Sequence, residues 1–122
     1  MRYAVKVVET GAVAATAARL ATSLGDRMKG LLGTRSLPAG EGLIIRPCTG
    51  VHTFFMKYPI DVVFLAGGGR VAAVYHSLKA WRLTAIHPQA SEVVELPAGT
   101  ARDRGITEGL TIGYEEAQET GT

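Results

Sequence analysis

The sequence predicts a small α+β domain that is mainly β, with a curved or barrel-like, mostly antiparallel sheet and one short helix near residues 23–33. Three observations lead there. Seven or so short runs rich in Val, Ile and aromatic residues are bounded by Gly, Pro and other turn formers. A single segment carries apolar residues at helical spacing with a cap at its start. The chain has 122 residues, 47% of them hydrophobic and 20% charged, which suits one core in one domain spanning 1–122. Burial at this size covers roughly two-thirds of the surface that the unfolded chain exposes, so neither a disulfide nor a structural metal is required.

Taken in order, Tyr3 to Val8 is rich in β-branched residues and gives a first strand, turned by "ETG" at 9–11. Ala12 to Leu20 is ambiguous, because alanine favours helix while the short turn before it favours a hairpin partner; we read a strand. In "TSLGDRMKGLLGTRSL" Ser23 can cap a helix, Asp26 sits in its first turn, and Leu24, Met28, Leu31 and Leu32 recur at helical spacing, with Gly33 able to end it in a left-handed cap. Arg27 and Lys29 fall on its polar face and read as solvated. From Gly42 onward the strands "GLIIRP", "VHTFFM", "IDVVFL" and "RVAAVYHSL" follow one another, the last two joined by a hairpin turn at "AGGGR". "SEVVELPAG" and "GLTIGY" add two more, and "TARDRGITEG" between them can hold one helical turn. The polar residues 115–122 read as a frayed tail.

Composition also narrows the function. Cys48 is the only cysteine, so no internal disulfide can form, which fits a reducing compartment and a cytoplasmic reading. The net charge of +2 is spread without a basic cluster, so nucleic acid is not suggested as a partner. The first apolar run is interrupted by Lys6 and Glu9 before a secretory segment could form. The alanine-rich stretch is broken by Arg19 and is too short to span a bilayer. No membrane span is expected, and the oligomeric state is left open.

The chemistry concentrates in "CTGVHTFFMKYPIDVVFL" at 48–65, which holds Cys48, His52, Met56 and Asp61. On a helix the four-residue spacing of Cys48, His52 and Met56 would stack three soft ligands for copper. Gly50, the β-branched residues, the two phenylalanines and Pro59 resist a helix here. In a strand that spacing spreads the side chains over about 13 Å, so no metal and no cofactor is expected. A strand instead places His52, Phe54 and Met56 on one face, where His52 is either a satisfied structural histidine or a ligand-binding or acid/base group. Asp61 interrupts a strand that looks apolar on both faces. As a buried carboxylate it needs a partner, which Arg27, Arg35 or backbone N–H groups near "KYP" can supply. Glu95 repeats the theme in "EVVELP", and the two carboxylates could form an acid/base pair as readily as structural ion pairs. Cys48, beside Arg46, is either a reactive thiol or a packed one. Trp81, in "KAWRL", is either a rim aromatic above a pocket or a core residue. "GGG" at 67–69 lacks the rest of a dinucleotide loop and reads as a turn.

The series "R..GLLGTRSL", "GLIIRPC..VHTFFMKYPIDVVFL", a glycine turn, Trp81-Arg82, "VVELPAGT" and "GLTIGY" resembles the bacterial and archaeal domain of unknown function 192 (DUF192) family from about residue 5 to 114. His52, Met56 and Asp61 fall where that family repeats an aromatic or histidine, a methionine and an aspartate; Arg27, Gly30, Arg35, Glu95 and Gly99 match as well. The resemblance implies a mainly β domain with a short helix and lends no established activity. Many relatives carry Trp at the position of His52, which implies that this histidine is not an obligatory base across the family. Many also carry an N-terminal signal or lipoprotein segment, which bears on the cytoplasmic reading.

The expectation that follows is a small binding or accessory domain with a ligand pocket around His52, Met56 and Asp61, to which Cys48, Trp81 and Glu95 are further candidates. Its ligand would be an unknown small molecule or protein. The alternative is acid/base or hydrolytic chemistry using Asp61 with Glu95 or His52.

Overall fold

The structure is a computed structural model that describes residues 1–117. The chain runs as β1 (Arg2–Val7), β2 (Val13–Ala21), α1 (Leu24–Lys29), β3 (Glu41–Ile45), β4 (Ile60–Ala66), β5 (Val71–Leu78), β6 (Ala90–Pro97), α2 (Thr100–Asp103) and β7 (Ile112–Glu116). All seven strands lie in one mixed sheet in the order β5-β4-β6-β3-β2-β1-β7. Every pairing is antiparallel except β2 with β3. Parallel neighbours need a crossover, and residues 22–40 with α1 supply it.

Alanine-rich β2 is a strand because its place between β1 and β3 overrides helix propensity, with Ala14, Ala15, Ala18 and Ala21 buried. Interior β4, between β5 and β6, is buried from Ile60 through Leu65, as a strand with apolar side chains on both faces must be. Those faces carry two cores. On one, Ile44, Val63, Leu65, Val94 and Leu96 meet Val5, Val7 and Ala101 of α2. On the other, Leu43, Ile45, Ile60, Val62, Phe64 and Val93 are covered by irregular chain, including Leu31, Cys48, Val51 and Met56.

The sheet curls without closing into a barrel. Its outer strands approach at one corner, where Gly109 N–H donates to the Val71 carbonyl and Val71 N–H to that of Leu110, beside an isolated Arg70–Thr111 bridge. The 3-10 turn Gly67–Gly69 between β4 and β5 reaches this corner, and a side chain at Gly69, whose φ is 82°, would overlap the Ile112 carbonyl oxygen.

Three expectations change. The helix ends at Lys29, not near 33, because Gly30 takes φ 47° and closes it; Ser23 caps it by accepting from Asp26 N–H. Its Leu24 and Met28 are exposed, while Leu31, beyond the helix, is the buried member of that apolar set. "VHTFFM" is a loop rather than a strand, with only an isolated His52–Leu83 bridge and a turn at Phe55, whose φ is 65°. The tail does not fray from 115, since Glu115 and Glu116 pair with Ala4 and Tyr3; residues 118–122 lie outside those described.

Candidate functional site

A cleft of about 610 Å³ opens where irregular chain covers the second face of the sheet. That is within the size of sites that take small molecules. Leu24, Arg27 and Met28 of α1 form one wall, the turn from Pro47 to His52 forms another, and Met56, Ile60 and Glu95 lie deeper.

Glu95 reaches this floor because β6 alternates. Glu95 sits opposite Val62 and Leu43, whose side chains belong to the second core, so it shares their face. It is 5% exposed, and no donor among the described residues meets its carboxylate, whose oxygens open narrowly to the cleft. Burial pushes the carboxyl up to about 7, so a proton rests there at mildly acidic pH. Arg27 lies on the wall. Its Nη1 donates to the Pro47 carbonyl at 3.3 Å, and its Nε is buried without a partner among the described residues. It is half-buried on the cleft wall, not spread over a solvated face.

Cys48 also lines the cleft, where its Sγ donates to the Gly50 carbonyl at 3.2 Å. Burial pushes this thiol up; the Glu95 charge adds to that and Arg27 opposes it. The thiol form is therefore favoured, which weighs against a reactive thiolate. His52 stands exposed at the rim, its Nδ1 accepting from Phe54 N–H at 3.3 Å. Met56 is buried between the loop and the sheet.

Asp61 and Trp81 are not among the cleft residues, which corrects the expected pocket. Asp61 pairs across the sheet with Leu96, on the first core's face, and is fully buried. Its Oδ1 accepts from Ser77 N–H and its Oδ2 from Ala101 N–H, each at 2.8 Å. It thus ties β5 and the first turn of α2 to β4. Neither Arg27 nor Arg35 is its partner; the ion pairs among the described residues are Lys6–Glu115 and Arg46–Glu92. Nor can Asp61 work with Glu95, because one register step places them on opposite faces of the sheet. Trp81 is exposed and lies against Phe55, their ring centroids 4.6 Å apart, on the loop pair beside the cleft.

Thr53 is a residue the sequence reading passed over. It is fully buried, its Oγ1 donates to the Lys79 carbonyl at 2.6 Å and accepts from Arg82 N–H at 2.9 Å, and its backbone bonds to Arg82 and Trp81. It joins the loop at 49–56 to the loop at 79–87 and so shapes one side of the cleft mouth. A threonine between His52 and two phenylalanines gives no signal of this, since its partners are main-chain atoms far along the chain. No group of three or more His, Cys, Asp or Glu suited to a metal occurs among the described residues.

Fold and cleft together define a small mixed-sheet domain with a ligand-sized recess over one face of its sheet. The chain belongs to the DUF192 family, described as "Uncharacterized ACR, COG1430", whose model matches residues 5–114. It is 28% identical over 105 residues to UPF0127 protein TK1120 of Thermococcus kodakarensis, covering 83% of this chain and 66% of that protein's length. A protein of unknown function from Novosphingobium aromaticivorans shares the fold, with a TM-score of 0.79, 20% identity, and coverage of 93% of this chain and 84% of that one. A Sinorhizobium meliloti structure does so with a TM-score of 0.77, 20% identity, and coverage of 93% and 92%. At those identities the likeness concerns the fold alone.

Proposed function

We propose that this domain binds a small amphipathic molecule in the cleft, with an apolar body against Met56, Ile45 and Ile60 and a hydrogen-bond donor, such as an amine, meeting Glu95. The observation that carries this reading is Glu95 itself, a buried carboxyl with no protein partner on the floor of a recess. A buried charge or polar group left unpaired is costly, and a ligand that donates to it recovers that cost. The unpartnered Nε of Arg27 on the adjoining wall offers a second polar contact. The Sinorhizobium meliloti neighbour bears the provisional name of transcription regulator, but a fold likeness at 20% identity adds little to this reading.

The test is a titration followed by backbone amide NMR with three probes of one length: n-hexylamine, n-hexanol and hexanoate. The expected outcome is saturable shifts around Glu95, Met56 and Ile60 with the amine, weaker ones with the alcohol, and loss of the amine's advantage in Glu95→Gln. Equal response to all three probes, or shifts elsewhere, would refute the assignment of Glu95. Acid/base chemistry is the second reading. It is favoured by one observation, that the Glu95 carboxyl titrates near 7 and can give or take a proton at neutral pH, with His52 at the rim as the second group.

A further inference from the structure

Among the described residues, and apart from Met1, Val8 and Val13, every large apolar side chain that stands exposed is gathered at the cleft mouth or on the loops beside it. Leu24, Met28 and Ile86 line the mouth. Phe55, Trp81 and Leu83 stand on the loop pair, exposed by 69%, 56% and 68%. The two loops are zipped together by Thr53 N–H to the Arg82 carbonyl, Trp81 N–H to that of Thr53, and Thr84 N–H to that of Val51. Phe55 and Trp81 both hold positive φ, at 65° and 64°, a conformation that is strained for bulky residues. Burial of their rings within the fold does not recover that strain.

The loop pair carries charge of one sign, while the α1 side of the mouth also bears the exposed Asp26. Lys57, Lys79 and Arg82 are exposed, and none of them is in an ion pair among the described residues. Residues 42–60 and 62–91 contain no Asp or Glu, and Glu95 is buried at the cleft floor.

We propose that this end docks on an anionic lipid bilayer, with Phe55 and Trp81 entering the headgroup region while Lys57, Lys79 and Arg82 face lipid phosphates. Projecting rings flanked by Lys and Arg are the composition that settles at a membrane interface, and anionic lipid supplies the matching charge. A folded protein partner would require a broad shaped surface, and the exposed rings here form one small cluster at the loop tips, Phe55 against Trp81. Single-stranded nucleic acid would stack on the rings, but the aliphatic Leu83 and Ile86 offer no such platform. No helix among the described residues is long and apolar enough to cross a membrane, so the contact lies on the surface. The inference stands apart from the ligand reading, since it uses the loop tips rather than Glu95.

Trp81 is the only tryptophan, so its fluorescence reports the contact directly. Vesicles of phosphatidylcholine with one quarter phosphatidylglycerol should shift its emission to the blue. Vesicles of phosphatidylcholine alone should leave it nearly unchanged, and added salt should reverse the effect. In co-sedimentation, the double reversal Lys79→Glu with Arg82→Glu should weaken binding about tenfold or more. Phe55→Gly, which relieves the strained φ while removing the ring, should weaken it as well without lowering the thermal midpoint. No emission shift with anionic vesicles, unchanged binding by the double reversal, or tighter binding to oligo(dT) than to the vesicles would each overturn the proposal.

Discussion

Replacing Glu95 with glutamine keeps the shape of the side chain and removes its titration. The folded carboxyl titrates near 7, against an ordinary value of 4.5, because burial penalises its charged form. At about 1.4 kcal/mol per pH unit, a separation of roughly 2.5 units corresponds to about 3 kcal/mol. The sign follows from which state holds the proton. Below pH 4.5 both folded and unfolded chains keep it, and Glu95 adds no pH dependence. Between 4.5 and about 7 the unfolded chain releases the proton while the folded one retains it, so stability falls as pH rises. Above about 7 the full penalty is in place. Glu95→Gln should therefore be more stable relative to wild type at about pH 8 than at about pH 4, by up to about 3 kcal/mol. The cost of burying the amide is the same at both pH values and drops out of that difference. Urea melts followed by far-UV circular dichroism at both pH values measure it. A difference that changes by less than about 0.5 kcal/mol between the two would refute the claim that this carboxyl is buried without a partner.

Asp61→Asn leaves one oxygen where two backbone N–H groups converge, and turns an amide donor toward the other. It should cost roughly 2–3 kcal/mol in a denaturant melt. Combining it with Arg27→Ala should be additive within about 0.5 kcal/mol, because the two side chains share no partner; strong coupling would restore the ion pair that the structure replaces. Thr53→Val keeps the volume but strands the Arg82 N–H and the Lys79 carbonyl, and should cost roughly 1–3 kcal/mol and speed amide hydrogen exchange at Arg82. Gly69→Ala combines a positive φ with a clash against the Ile112 carbonyl, and a loss of roughly 2–4 kcal/mol in thermal melts is expected.

What could be read in advance was whatever depends on a residue's own chemistry and its near neighbours. "IDVVFL" reads as a strand covered on both faces, since its apolar side chains on both need cover on both, and β4 is buried at six of its seven positions. Ser23 and Asp26 announced the start of α1 correctly, because capping is a matter of three residues. The end of α1 was missed for a similar local reason, in that Gly30 and Gly33 both adopt positive φ and the earlier one closes the helix. "VHTFFM" looked like a strand because its residues have strand propensity. Its conformation is set instead by Thr53 bonding to Lys79 and Arg82, partners that no local pattern names.

Asp61 and Glu95 pose the harder case, since in the sequence each is a lone carboxylate in an apolar strand. The register between β4 and β6 sets Asp61 opposite Leu96 and Val62 opposite Glu95, so their side chains leave the sheet on opposite sides. On its side Asp61 meets two N–H donors, one from β5 and one from the first turn of α2, and both its oxygens are occupied. On the other side Glu95 meets no donor, and its surroundings push it toward the protonated form. A carboxylate whose bonds are all supplied by the fold is part of the fold's stability. One whose bonds are left unmade lowers stability at neutral pH, and what it offers in exchange is a fixed acceptor facing an open recess. Two residues alike in sequence therefore divide into a structural tie and an unpartnered carboxyl at the floor of a recess through a single step of register.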